Sequence, residues 1–237
     1  MSKQQNLVSQ KVPSFIKNME GQARGSEEVT ADDIQIPRVE IIQSLSPQKV
    51  KGDPKYIEGA VEGILFNTIT NKLYGESIQF CPSKFVKEYL IYRDRKMGGG
   101  FRGSYKSLPE AREAIQTLED GQQCEIKEVA QHYGVIVGDD GSMEEVCISM
   151  ASTKLKVSRK FNSLAKIAGG DRFSRVYKFE VVSDKNDKGM FYNYRVEMVG
   201  YPSEEVYRVA ENLYDLVSSG KASADREEGR NLADEEM

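Results

Sequence analysis

The chain has no tryptophan, one histidine and three cysteines in 237 residues, and each scarcity removes a class of chemistry. A lone His132 leaves no second imidazole for a histidine metal site, and no nucleophile elbow accompanies it to suggest a hydrolytic relay. Cys81, Cys124 and Cys147 are far apart and never in C-x-x-C spacing, so neither a disulfide framework nor a zinc knuckle is encoded. They read as reduced cysteines in strands. Apolar runs fall short of the roughly eighteen residues that mark a membrane-spanning helix, and "MSKQQNLVSQ" lacks the apolar segment of a signal peptide. The expected location is the cytoplasm.

Phosphate-loop chemistry is missing as well. The glycine-rich stretch "YRDRKMGGGFRGSY" at 92–105 lacks the G-x-x-x-x-G-K-[ST] order in which amides and a lysine hold phosphates. Gly98, Gly100 and Gly103 match G-x-G-x-x-G spacing, but no βαβ unit surrounds them. No cofactor is implied, and the chain is not read as an enzyme. A metal-dependent nuclease stays as a minor alternative, because "EIK" at 125–127 has the glutamate-x-lysine core of one nuclease class.

What is present is charge, and it is segregated. At 39% hydrophobic and 30% charged residues the composition is that of an ordinary soluble protein, with a net charge of -4. Residues 225–237, "DREEGRNLADEEM", hold six acids against two arginines, which accounts for the whole excess and leaves the other 224 residues neutral. Within that neutral body, residues 84–106 carry seven cations against Glu88 and Asp94. Residues 154–175 carry seven more against Asp171 alone. Two basic blocks and an acidic tail describe a binder of polyanions with its own competitor.

Periodicity predicts an α+β, mainly β fold: an OB-fold-like small barrel with inserted helices and a C-terminal helix. Residues 1–55 are polar and turn-rich and read as a partly ordered arm. Residues 56–219 form the nucleic-acid-binding domain, and residues 220–237 a disordered acidic tail. "EGILFNT" and "ESIQFCP" read as a hairpin and "KFVKEYLIYRDR" as a third strand. Two more hairpins surround "DDGS" and "KNDKG". Capping-box spacing of Ser107 and Glu110 with Pro109 in the first turn predicts a helix over 108–119. Leu155, Phe161, Leu164 and Ile167 predict a second over 154–167, and Val206, Val209, Leu213 and Leu216 a third over 203–218.

Single-strand binding needs cations to replace counterions and flat rings for unpaired bases to stack on. Lys84, Lys87, Arg93, Arg95, Lys96 and Arg102 interleave with Tyr92, Phe101 and Tyr105 in the first block. Lys154, Lys156, Arg159, Lys160, Arg172 and Arg175 precede or flank Tyr177 and Tyr192 in the second. Strand alternation puts about half of the aromatics in the core, and Tyr92, Phe101, Tyr105, Tyr177 and Tyr192 are the expected outward set. The glycine run reads as a hinge that lets Phe101, Arg102 and Tyr105 close over bases.

The phrases "IPRVEIIQ", "EGILFNTITNKLYGESIQFCP" and "YRDRKMGGGFRGSY", with the tail, resemble the single-stranded DNA-binding proteins of tailed bacteriophages over roughly residues 36–200. The resemblance implies sequence-independent protection of exposed strands in phage DNA replication and recombination, in the host cytoplasm. It also implies that Asp225, Glu227, Glu228, Asp234, Glu235 and Glu236 contact a phage polymerase, helicase or recombinase. One departure is that the tail ends in "DEEM" rather than in a terminal aromatic. The rival expectation is a phage transcription or recombination cofactor working mainly through protein partners. No membrane is expected as a partner, and homodimerisation and DNA-versus-RNA preference are left open by the residues.

Overall fold

A computed structural model describes residues 25–29, 35–187 and 189–224. The strands, in chain order, are β1 (Gln35–Ile36), β2 (Val39–Ile41), β3 (Leu65–Asn67), β4 (Leu73–Gly75), β5 (Ser77–Arg93) and β6 (Phe101–Tyr105). After helix α1 (Leu108–Thr117) come β7 (Cys124–Val137) and β8 (Met143–Ala151), then α2 (Leu155–Ala168). The chain continues with β9 (Val176–Asn186), β10 (Gly189–Gly200), α3 (Glu204–Ser218) and β11 (Ser223–Ala224).

The expected first hairpin forms differently: β3 pairs with β4, which lies inside the expected turn, and the hairpin's second strand instead joins the expected third. "ESIQFCP" and "KFVKEYLIYR" are one strand, β5, and Pro82 sits where the register with β7 shifts, between Pro82 and Lys84. A proline has no N–H for the ladder, and a bulge is the place where a strand absorbs that loss. β5 is long enough to serve two neighbourhoods: Ser77 to Phe80 pair with β9 on one side, Tyr89 to Tyr92 pair with β6, and β7 runs along the other side.

The main sheet has six strands in the order β10-β9-β5-β7-β8, with β6 added to β5, and the sheets are not closed into a barrel. The mainly β, α+β expectation stands, while the closed OB-like ring does not form. A small sheet β2-β3-β4 and a parallel β1-β11 pair complete the topology. Two of the helices, α1 and α3, start at a serine cap. Ser107 Oγ accepts from the Glu110 N–H (3.4 Å) and Ser203 Oγ from the Val206 N–H (3.3 Å), satisfying donors that a first turn leaves open.

Each face of the main sheet has its own cover. On one side α2 and the small sheet close over Phe80, Ile148, Tyr177, Phe179 and Tyr194, with Phe161 of α2 fully buried among them. Phe161 meets Tyr177 and Phe179 edge to face, at 5.0 and 5.1 Å. Such pairs contribute roughly 0.5–1.5 kcal/mol each beyond area burial. On the other side Val206, Ala210 and Leu213 of α3 cover Cys81, Tyr133, Val135 and Cys147. The three cysteines are free and lie in strands, as expected, and burial pushes the Cys81 and Cys147 thiols up to about 12. Residues 35–43, from the expected N-terminal arm, thread into these layers: Val39 and Ile41 join the main core.

Candidate nucleic-acid interface

The first basic block occupies the distal end of β5, the turn after it and β6. Gly98, Gly99 and Gly100 have φ of 100°, 66° and 111°, and the Arg93 N–H donates to the Gly100 carbonyl at 2.9 Å. Three consecutive left-handed residues admit little besides glycine, so the run is needed for the shape of this turn.

That turn delivers its cations to acids brought in from elsewhere in the chain. Arg102 donates through Nε and Nη2 to Asp120 Oδ2 (2.9 and 2.8 Å), and Arg93 Nε lies 3.5 Å from the same oxygen while bonding Gln123 Oε1. The Arg102 hydrogen bond holds the Asp120 carboxyl below its ordinary value and raises Arg102 in turn. Lys87 pairs with Glu128 at 3.2 Å, and Lys84 lies over the Tyr214 ring at 4.5 Å. Lys96 is exposed, and Arg95 contributes backbone to the short turn Arg95–Met97.

The aromatics of this block face inward more than expected. Tyr92 is buried against Phe101 (5.7 Å between ring centres), and Phe101 is half-buried over Leu90, Val129 and Ala151. Tyr92 is therefore core, because the parity of β5 turns it to the same side as Leu90. Tyr105 is half-buried opposite Tyr89.

The second block splits. Lys154 is 2% exposed, with its Nζ above the Tyr194 ring at 5.7 Å, and Tyr177 is 1% exposed with no hydrogen bond to its hydroxyl among the described residues. Arg172 enters the core between Phe161 (4.9 Å) and Phe85 (5.7 Å). Its Nη2 donates to Asn162 Oδ1 (2.9 Å) and to His132 Nδ1 (3.0 Å), which leaves the His132 proton on Nε2 to meet Ser158 Oγ (2.8 Å). Burial pushes Arg172 down to about 10. Burial first, and Arg172 second, push His132 well below the ordinary histidine range, so it is a neutral core residue.

These positions correct the sequence reading for Lys154, Tyr177 and Tyr92, which are buried, while Arg172 is half-buried with its guanidinium engaged by Asn162 and His132. Arg175 is half-buried over Tyr201 (4.5 Å) and donates to the Ser174 carbonyl (2.7 Å). Tyr192 is half-buried against the core, its backbone held by the Gln43 side chain.

Besides Lys96 and Lys106, exposed singly in the first block, what remains is one helix face. Lys156, Arg159 and Lys160 are exposed on α2, and so is Lys166, which completes the series i, i+3, i+4, i+10 on a single stripe. Lys166 lies in the basic block but was not among the expected contacts; helical spacing alone was the signal that would have added it. The helix "LKVSRKFNSLAKIA" contains no acid, and among the described residues none of these four cations makes an ion pair. Lys156 to Lys166 spans about 15 Å at the helical rise. Ile167 stands beside the stripe, 83% exposed.

The open part of the sheet offers no comparable field, since Glu180 accepts from both Lys178 (3.2 Å) and Arg195 (3.1 Å). Glu125 and Lys127 of "EIK" bond each other at 3.0 Å. Among the described residues no three His, Cys, Asp or Glu side chains gather as a metal site, and no helix is long and apolar enough to cross a membrane. Asp225, Glu227, Glu228, Asp234, Glu235 and Glu236 lie outside the described residues. The last described residue, Ala224, is buried, with its N–H donating to the Tyr133 hydroxyl at 3.1 Å.

Residues 2–223 match the family model described as Pam3 phage gp34-like protein. No curated protein and no solved structure matches the chain.

Proposed function

The chain belongs to the Pam3 phage gp34-like family, and from that phage origin we propose that it binds single-stranded DNA without regard to sequence and protects it during phage replication and recombination. The observation that carries this reading is the acid-free, unpaired stripe of Lys156, Arg159, Lys160 and Lys166. Cations that spend no charge inside the protein release the most counterions from a phosphate backbone. Stacking is the smaller contribution here, because the rings expected to stack are buried or half-buried. The reading draws on a helix face and does not require a closed OB-type barrel.

The acidic residues 225–237 then act as a competitor for the stripe or as the hook for a phage polymerase, helicase or recombinase. A second reading, in which the stripe engages an acidic protein partner in transcription or recombination, is favoured by Ile167, an exposed apolar anchor beside the cations.

Fluorescence titration with oligo-dT and with duplex, at several salt concentrations, tests the proposal. Micromolar or tighter single-strand affinity that falls with salt is expected; no binding at about 50 mM salt overturns it.

A further inference from the structure

Among the described residues two aromatic side chains are exposed, Tyr201 at 72% and Tyr214 at 37%. Tyr214 is backed by Phe173, with 6.0 Å between ring centres, and lies under Lys84. Tyr201 follows the last residue of β10 and meets the Arg175 guanidinium at 4.5 Å. A ring that stays 72% exposed with a guanidinium already over it has its other face open. Arg175 also ties this ring to the basic helix: its Nη2 donates to the Ala168 carbonyl at 3.4 Å, at the C-terminal end of α2 and two residues past Lys166. It donates further to the Ser174 carbonyl and hydroxyl (2.7 and 3.0 Å), both neutral, and among the described residues it makes no ion pair. The uncancelled cations therefore continue off the end of the stripe to the face of Tyr201.

A cleft of about 730 Å³ opens beside the ring, between the start of β5, the ends of β7 and β10, the start of β9 and the first turn of α3. Its volume falls within the roughly 300–1,000 Å³ of small-ligand sites. Among its lining residues Lys178 is the one cation and Asp139 the one acid, so the cleft is neutral and suits an uncharged group better than a phosphate. Val199 lines it too and is itself 47% exposed, which leaves apolar surface here that the fold does not cover. A flat ring, a guanidinium and a neutral cleft are the parts that hold a stacked base with its phosphate outside.

We propose that an unpaired base of a strand held on the stripe stacks on Tyr201 and enters this cleft, with its phosphate beside Arg175. The inference rests on the single-strand reading above and adds the stacking platform that the expected rings do not supply. Tyr201 contributes through its ring, so its effect belongs to the bases of the strand and not to its charge. That separates it from the four cations of α2, whose effect is read in the salt dependence.

Fluorescence anisotropy of labelled oligo-dT and of an abasic strand of equal length, with the full chain at several salt concentrations, tests this. The wild type should bind oligo-dT more tightly than the abasic strand, which carries the same phosphates and no bases. Tyr201→Ala should weaken oligo-dT binding by about five-fold or more, leave the slope against log salt unchanged and leave abasic binding as it was. Tyr201→Phe, which keeps the ring, should restore the loss. Since the chain has no tryptophan, Tyr201→Trp supplies a second readout: oligo-dT should quench its single indole and the abasic strand should not. Equal oligo-dT affinity of wild type and Tyr201→Ala, or equal quenching by both strands, overturns the site and leaves the single-strand reading standing. Failure of the wild type to bind oligo-dT removes that reading and the site together.

Discussion

Residues 84–106 and 154–175 each carry seven cations, and folding treats the two sets in opposite ways. Arg93 and Arg102 in the first meet Asp120, and Lys87 meets Glu128, acids that stand outside the block in the sequence. The second sends Lys154 and Arg172 inward and keeps Lys156, Arg159, Lys160 and Lys166 on a helix with no acid of its own. Equal charge in sequence thus becomes unequal field at the surface, because a cation acts at a distance only when no nearby anion cancels it.

The sharpest way to break this comparison is to replace Lys156, Arg159, Lys160 and Lys166 with alanine. Single-strand affinity should collapse, and the slope of log K against log salt should shrink by up to about 2.8, four contacts at about 0.7 each. The same titration on Arg93→Ala with Arg102→Ala should show a far smaller change in slope; an equal loss reverses the ranking of the two blocks.

Next in size is Arg172→Ala. It opens space between Phe85 and Phe161 and strips His132 and Asn162 of a partner. A loss of about 2–4 kcal/mol in urea unfolding is expected, with binding to oligo-dT by the folded protein retained.

His132 gives a pH signature of the same core cluster. Its folded-state value is pushed down, so below the ordinary 6.5 the unfolded chain takes up a proton that the core refuses. Its contribution is complete above that pH and declines by up to about 1.4 kcal/mol per unit below it. Unfolding at a series of pH values should show a shallower acid slope for His132→Asn than for the wild type.

The smallest effect is expected from Asp120→Asn, which releases Arg93 and Arg102 from their shared acid. Single-strand affinity should rise by a few-fold, with a salt slope steeper by less than about 1.4. No rise would mean that the two arginines sit away from the bound strand even when free.

Local structure was largely readable. The capped helix at 108, the basic helix after 154, the terminal helix after 203 and the turns at "DDGS" and "KNDKG" all carry their own chemistry within a few residues. The fusion of "ESIQFCP" with "KFVKEYLIYR" was hidden by Pro82, since a proline reads as a stop unless a bulge receives it. Site residues fared less evenly. Lys156, Arg159 and Lys160 follow from helical spacing, whereas Arg172 looks from its neighbours like a surface cation and is held inside by Asn162, His132 and two phenylalanine rings.

The sequence by itself determined the element types, the segregation of basic blocks from an acidic tail and the acid-free helix, because capping, periodicity and composition act over one or two turns of chain. Only the tertiary structure decided which cations keep their field, which tyrosines are core and where the sheet stops. Those outcomes depend on Asp120, Glu128, His132 and Gln43 arriving from distant positions, and charge cancellation and burial are set by distance in space.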